Sequence, residues 1–94
     1  MKNNLPFEEI IENDHYIRIF DENTNSDEFV WHRDKEDRIL ECLHETDWKF
    51  QIDDQLPINF DKTIFIKAEK YHRLIKGTGN LRLKIIKLNI DTTI

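Results

Sequence analysis

The 94-residue chain has one cysteine, two glycines, two prolines and one methionine, and each scarcity excludes something. A lone thiol, Cys42, can close no internal disulfide, so the framework of a small secreted domain is ruled out and a reducing, cytoplasmic setting is expected. No stretch approaches the roughly 20 consecutive apolar residues of a membrane-spanning helix, and Met1-Lys2-Asn3-Asn4-Leu5-Pro6 lacks the apolar centre of a signal peptide. Basic residues are outnumbered, 14 Lys and Arg against 19 Asp and Glu, for a net charge of −5. Polyanions repel such a surface, so neither nucleic acid nor an anionic membrane is an expected partner. A glycine-rich phosphate loop, a Cys-x-x-Cys pair and a serine nucleophile in a usable setting are all missing. With no repeat and no low-complexity linker, one domain over 1–94 with a modest core is expected.

What the chain does have is a series of short apolar runs cut by turn formers. Residues 1–14 form an N-terminal segment in which Phe7-Glu8-Glu9-Ile10-Ile11-Glu12 reads equally as a helical turn or an edge strand. His15 to Phe20 favours a strand by composition. A dense turn cluster over 21–27 then leads into Phe29–Asp34, read as the return strand of a hairpin. Further strands are expected over Arg38–Leu43, Trp48–Asp53 (clean period-two alternation), Thr63–Lys67, His72–Ile75 and Leu81–Ile90. Lys76-Gly77-Thr78-Gly79-Asn80, which holds both glycines, reads as a hairpin tip. A barrel over 15–90, a fraying tail over 91–94 and almost no helical periodicity define an all-β sandwich or barrel.

The chemistry is concentrated in Val30-Trp31-His32-Arg33-Asp34 and, far downstream, Tyr71-His72. Alternation along a strand sends His32 and Asp34 to one face, where an imidazole and a carboxylate make adjacent metal ligands. His72 is the candidate for the third position of a two-histidine, one-carboxylate set, a pattern suited to a divalent metal with open sites. Asp34 has a second reading of equal weight, an ion pair with Arg38. Tyr71, Trp48 and Phe50 are pocket or core aromatics. His15 and His44 lie in or near turns and are expected to be solvated, and Cys42 reads as a small core hydrophobe. With His32 inward, Phe29 and Trp31 should face outward and need a cover. Either the N-terminal apolar residues Leu5, Phe7, Ile10 and Ile11 or a second copy of the chain could supply it, and a two-fold homodimer on that sheet is the expectation.

The order of parts resembles the cupins, small jelly-roll barrels of the double-stranded β-helix type. The first cupin motif, His-x-His, three or four residues, Glu, six residues, Gly, falls on His32, Asp34, Arg38 and Glu45. The second, Gly, five residues, Pro-x-Gly, two residues, His, three residues, Asn, falls on Asp61, Lys67, Glu69, His72 and Lys76. Spacing is preserved while several letters change, so family ligation carries over only to His32 and His72. Asp34 takes a ligand position with a different ligand. Arg38 stands where the family has a glutamate, leaving Glu36 or Asp37 as less favoured substitutes. A shorter similarity, His32-x-Asp34 with distal His72, is to Fe(II)/2-oxoglutarate oxygenases, and it implies a carboxylate-binding role for Arg82, ten residues past His72, or for Lys84. Together the resemblances imply a divalent metal (Fe, Zn, Ni or Mn, not distinguishable) and a small-molecule ligand contacted by Arg38, Arg82 and Tyr71. The chain is then an oxygenase or isomerase, or else a non-catalytic binding module whose metal site has eroded.

Overall fold

The computed structural model describes residues 7–88. The expected tail over 91–94, the end of the last strand and Leu5 lie outside those residues. Eight strands run in order: β1 (Phe7–Ile11), β2 (Tyr16–Phe20), β3 (Asp37–Cys42), β4 (Lys49–Ile52), β5 (Ile58–Asn59), β6 (Ile64–Ile66), β7 (His72–Ile75) and β8 (Leu81–Leu88). They form a five-stranded sheet in the order β1-β2-β8-β3-β6 and a three-stranded sheet in the order β5-β4-β7, with antiparallel pairing throughout. The open choice for the N-terminal run resolves as an edge strand, Phe7 to Ile11 pairing with Phe20 to Tyr16.

Alternation builds the core. On β8, Leu81, Leu83 and Ile85 are buried while Arg82 is exposed, and β6 buries Ile64 and Ile66 and turns Phe65 out. From the facing sheet come Trp48 and Phe50, almost wholly buried. The Trp48 indole N–H donates to the Gly79 carbonyl at 2.9 Å, which satisfies its one polar atom.

Two expected hairpins are absent. The segment Lys76–Asn80 joins β7 in one sheet to β8 in the other, so it is a crossover between layers. Its backbone is held by Asp47, whose Oδ1 accepts the Thr78 N–H and whose Oδ2 accepts the Thr78 hydroxyl. Likewise β2 pairs with β1 and β8, and Phe29–Asp34 forms no strand. A 3₁₀ turn at Ser26–Glu28, capped by the Asn25 side chain, precedes it. Strict alternation therefore does not run from Phe29 to His32, and the outward placement of Phe29 is corrected. Its ring lies 5.4 Å from Trp48 and 5.9 Å from Phe20, packed against the core. Trp31 does face out, with the Arg73 guanidinium 4.6 Å from its ring centre.

Candidate metal centre

The edge of the small sheet at β7 is extended by a single residue. His32 and His72 form an antiparallel bridge, the His32 N–H donating to the His72 carbonyl at 3.0 Å and the His72 N–H to the His32 carbonyl at 2.9 Å. Residues directly opposed in this way project from the same face, and the two imidazoles meet edge to face with centres 4.3 Å apart. Asp34 follows two residues on. The turn between β6 and β7 fixes its position, because the Glu69 N–H donates to the Asp34 carbonyl at 2.7 Å and the Ala68 N–H to Asp37 Oδ1 at 2.7 Å. Glu69 adopts a left-handed φ of 65° there.

Each histidine is oriented through Nδ1, His32 toward the Val30 carbonyl at 3.1 Å and His72 toward the Lys70 carbonyl at 2.8 Å. A carbonyl only accepts, so Nδ1 carries the proton in both rings and the neutral form keeps its lone pair on Nε2, the arrangement of a metal-ligating histidine. Asp34 completes the group. Its Oδ1 lies 3.2 Å from Arg38 Nη2, and its Oδ2 lies 3.2 Å from His72 Nε2. The second contact is within ion-pair distance but not aligned as a hydrogen bond, and Asp34 Oδ2 is buried with no hydrogen-bond partner among the described residues. An imidazole lone pair facing a carboxylate lone pair is repulsive unless a cation, a proton or a metal ion, lies between them.

Ligand atoms of His32, Asp34 and His72 lie within 4.8 Å of one another. Bonds near 2.0–2.1 Å hold ligand atoms no more than about 4 Å apart, so closing on an ion needs a shift of under about 1 Å. The donor set fits a divalent metal.

Electrostatics point the same way. Burial pushes the Asp34 carboxyl up, but a protonated His72 ring and the Arg38 guanidinium together outweigh it and hold the pKa below the ordinary value, and the His72 proton is the cation that a metal ion would replace. Although His32 keeps exposed surface, protein packed around its ring pushes its pKa down, which the Val30 carbonyl only partly offsets. A depressed imidazole pKa and an ionised carboxylate both favour the ligating states.

Other expected residues are placed as follows. Arg38 is buried on the inward face of β3 and donates from Nε to Glu36 Oε2 at 2.7 Å, so both readings of Asp34, ligand position and ion pair, coexist through its two oxygens. Glu36 is committed to Arg38 and Asp37 to the Ala68 N–H, and neither belongs to the triad. Arg82 alternates with Leu81 and Leu83 and faces outward, which corrects its expected contact with a ligand beside His72, and Lys84 shares that outer face. Tyr71, neighbour to inward His72, also faces out and stacks with Arg33, 5.3 Å from its ring centre. His44 spends both ring nitrogens on protein, Nδ1 on the Glu45 carbonyl and Nε2 on the Arg82 N–H. His15 pairs with Asp14 at 2.7 Å.

The triad opens into a cavity of about 270 Å³ walled by apolar side chains such as Phe20, Phe29, Phe50 and Leu83. A second guanidinium enters it, that of Arg18 on β2. Sequence reasoning missed Arg18; the signal was alternation, since Tyr16, Arg18 and Phe20 share the face that pairs with Ile85, Leu83 and Leu81.

Two antiparallel sheets enclosing a cavity, with inward histidines near one edge, define the double-stranded β-helix of the cupins, and comparison with solved structures shows the same fold. No protein-family model matches the chain, and no curated protein matches it in sequence. The chain is similar to an RmlC-like cupin with a double-stranded β-helix from Methanocaldococcus jannaschii, at 11% identity and TM-score 0.62, over 93% of this chain and 84% of that one. A candidate mannose-6-phosphate isomerase from Ralstonia eutropha matches at 12% identity and TM-score 0.63, over 89% and 83%. Hydroxypropylphosphonic acid epoxidase from S. wedmorenis, in complex with fosfomycin, matches at 15% identity and TM-score 0.58. There the match covers 87% of this chain but 50% of the epoxidase, so this chain spans about half of that protein. No helix among the described residues is long and apolar enough to cross a membrane.

Proposed function

We propose that this chain is a small metal-binding protein of cupin fold that holds one divalent ion through His32, Asp34 and His72 and receives a small molecule in the adjoining cavity. The observation that carries this reading is Asp34 Oδ2, buried and unpartnered, facing the lone pair of His72 Nε2. A divalent ion bound there supplies Lewis-acid or redox chemistry to a ligand in the cavity. The chain's own residues do the rest. The Val30 and Lys70 carbonyls lock both imidazoles in the ligating tautomer, Arg38 holds Asp34 ionised, and Phe20, Phe29 and Leu83 exclude water.

An oxygenase or isomerase acting on a small molecule is the reaction class this supports, in keeping with neighbours that include an Fe(II) epoxidase and a candidate isomerase. The second reading, a non-catalytic binding module, draws on Arg38 standing where a cupin glutamate would. Metal analysis after incubation with Fe(II), Zn, Ni and Mn separates them. One equivalent of bound ion supports the metal protein, and a chain that stays metal-free supports the binding module. The single thiol, Cys42, favours a reducing compartment such as the cytoplasm.

Pairing of two copies belongs to the same proposal, on a different surface from the one Phe29 suggested. Phe65, Ile39 and Ile86 stand in one cross-strand row on the outer face of the large sheet, with Phe65 54% exposed. Glu41 and Lys84 lie opposite each other on that face and offer self-complementary charge to a two-fold mate. Sedimentation tests this: a dimer that Phe65→Glu converts to monomer supports the interface, and a wild-type monomer at micromolar concentration refutes it.

A further inference from the structure

Arg18 is the one guanidinium in the cavity whose fork is unspent. Its register partner is the buried Leu83, so it points into the barrel, where its side chain is 17% exposed. The guanidinium lies over the Phe7 ring, 4.3 Å from its centre, and Nε donates to Glu9 Oε2. Among the described residues, Nη1 and Nη2 make no hydrogen bond. Arg38, by contrast, spends Nε on Glu36 and Nη2 on Asp34. A guanidinium carries five donors in a planar fork matched to a carboxylate, and the Arg18 Nη edge, which meets no protein acceptor among the described residues, is open to one. Stacking on Phe7 and the bond to Glu9 fix the plane, which leaves the Nη edge preset for a planar acceptor.

We propose that Arg18 is the anion-binding end of this cavity and that the ligand is a small organic acid. Its carboxylate spans Arg18 Nη1 and Nη2, a short apolar body lies along Phe20, Phe29 and Leu83, and its other polar end faces the histidines. Only that last contact rests on the metal reading. A cavity of about 270 Å³ suits a ligand of on the order of ten heavy atoms, since about 150 Å³ already holds benzene. The carboxylates of Glu9, which already pairs with Arg18, and Glu28, which also lines the cavity, oppose the incoming acid. They tune affinity downward and make Glu9 a competitor whose removal can be read.

Calorimetric titration of the Zn-treated protein with butanoate and with its neutral isostere butanamide tests this, with Zn content measured on every sample. Butanoate is expected to bind about tenfold more tightly than butanamide, the scale of a charge-assisted bond. Arg18→Met should abolish that preference without changing Zn content, and Glu9→Gln should strengthen butanoate binding. Equal binding of the two probes, no binding of butanoate, or a preference that survives Arg18→Met overturns the proposal. If Arg18→Met does not fold, Glu9→Gln decides, and butanoate binding that fails to strengthen overturns it. A protein that takes up no Zn contradicts the metal reading alone, because the acid preference at Arg18 is then measured on the metal-free chain.

Discussion

His32 and His72 are joined by a reciprocal pair of backbone hydrogen bonds, although His32 belongs to no strand. That one bridge sets both imidazoles on the same face, 40 residues apart in sequence. It also makes the site sensitive to the turn that holds the segment after His32.

Glu69 in that turn carries φ 65° where the cupin motif has glycine. A left-handed conformation costs a residue with a Cβ about 1–2 kcal/mol, while the Arg33–Glu69 pair at 3.4 Å, more than half exposed on both sides, contributes little. Glu69→Gly is therefore expected to leave stability unchanged or raise it by up to about 1 kcal/mol, read as an equal or higher urea midpoint. A clear loss would show that the side chain matters more than the backbone.

Gly77 and Gly79 sit two residues apart and are needed for different reasons. A Cβ on Gly77 would lie 2.3 Å from Asp47 Oδ1 and 2.6 Å from the Trp48 nitrogen, whereas one on Gly79 meets nothing but carries φ 73°. Gly79→Asn, a residue that tolerates left-handed backbone, should be nearly neutral. Gly77→Ala should cost about 1–3 kcal/mol through overpacking against backbone. Thermal midpoints of the two variants check this, and equal losses would contradict it.

Asp47 links the same crossover to pH. The Thr78 N–H and hydroxyl, both donating to its carboxylate, hold its pKa below the ordinary carboxylate value. A depressed folded pKa means its contribution is fully present above the unfolded value and is lost as pH falls through the folded one. The difference in thermal midpoint between wild type and Asp47→Ala should be constant at neutral pH and narrow only below about pH 3.8. Narrowing between pH 7 and pH 5 would assign the effect to another group.

Arg38 balances Asp34 and Glu36 inside the barrel. Removing it leaves two carboxylates without their cation, at a cost of about 1–3 kcal/mol. Arg38→Ala should lower the melting temperature of the metal-free protein and enlarge the rise on adding Zn, since a divalent ion supplies the missing charge. Thermal shift with and without Zn measures both, and an unchanged Zn response would show that Arg38 does not act through Asp34.

Much of the barrel was legible because alternation states which face is buried. Trp48-Lys49-Phe50 reads correctly from period two alone, and the same alternation in Leu81-Arg82-Leu83-Lys84-Ile85 is what turns Arg82 outward. The hairpins did not, since turn residues announce a reversal without saying which sheet receives the next strand, and Lys76–Asn80 crosses between sheets. Phe29 escapes alternation because it leaves the 3₁₀ turn with φ −96° and ψ 77°, outside the extended conformation that period two assumes. The grouping of His32, Asp34 and His72 was legible from spacing, but the two fates of the Asp34 oxygens were not, as they depend on side-chain reach. Distance along the chain from His72 points to Arg82, but that count carries no information about which face of β8 it occupies.

The central claim, that His32, Asp34 and His72 together hold a divalent ion, is tested most directly by Co(II) titration followed in the visible absorption spectrum. Wild type should develop ligand-field bands that saturate at one equivalent. His72→Ala should abolish them, and Asp34→Asn should weaken binding and shift the bands. Bands that persist unchanged in both variants, or none in the wild type, would contradict the assignment.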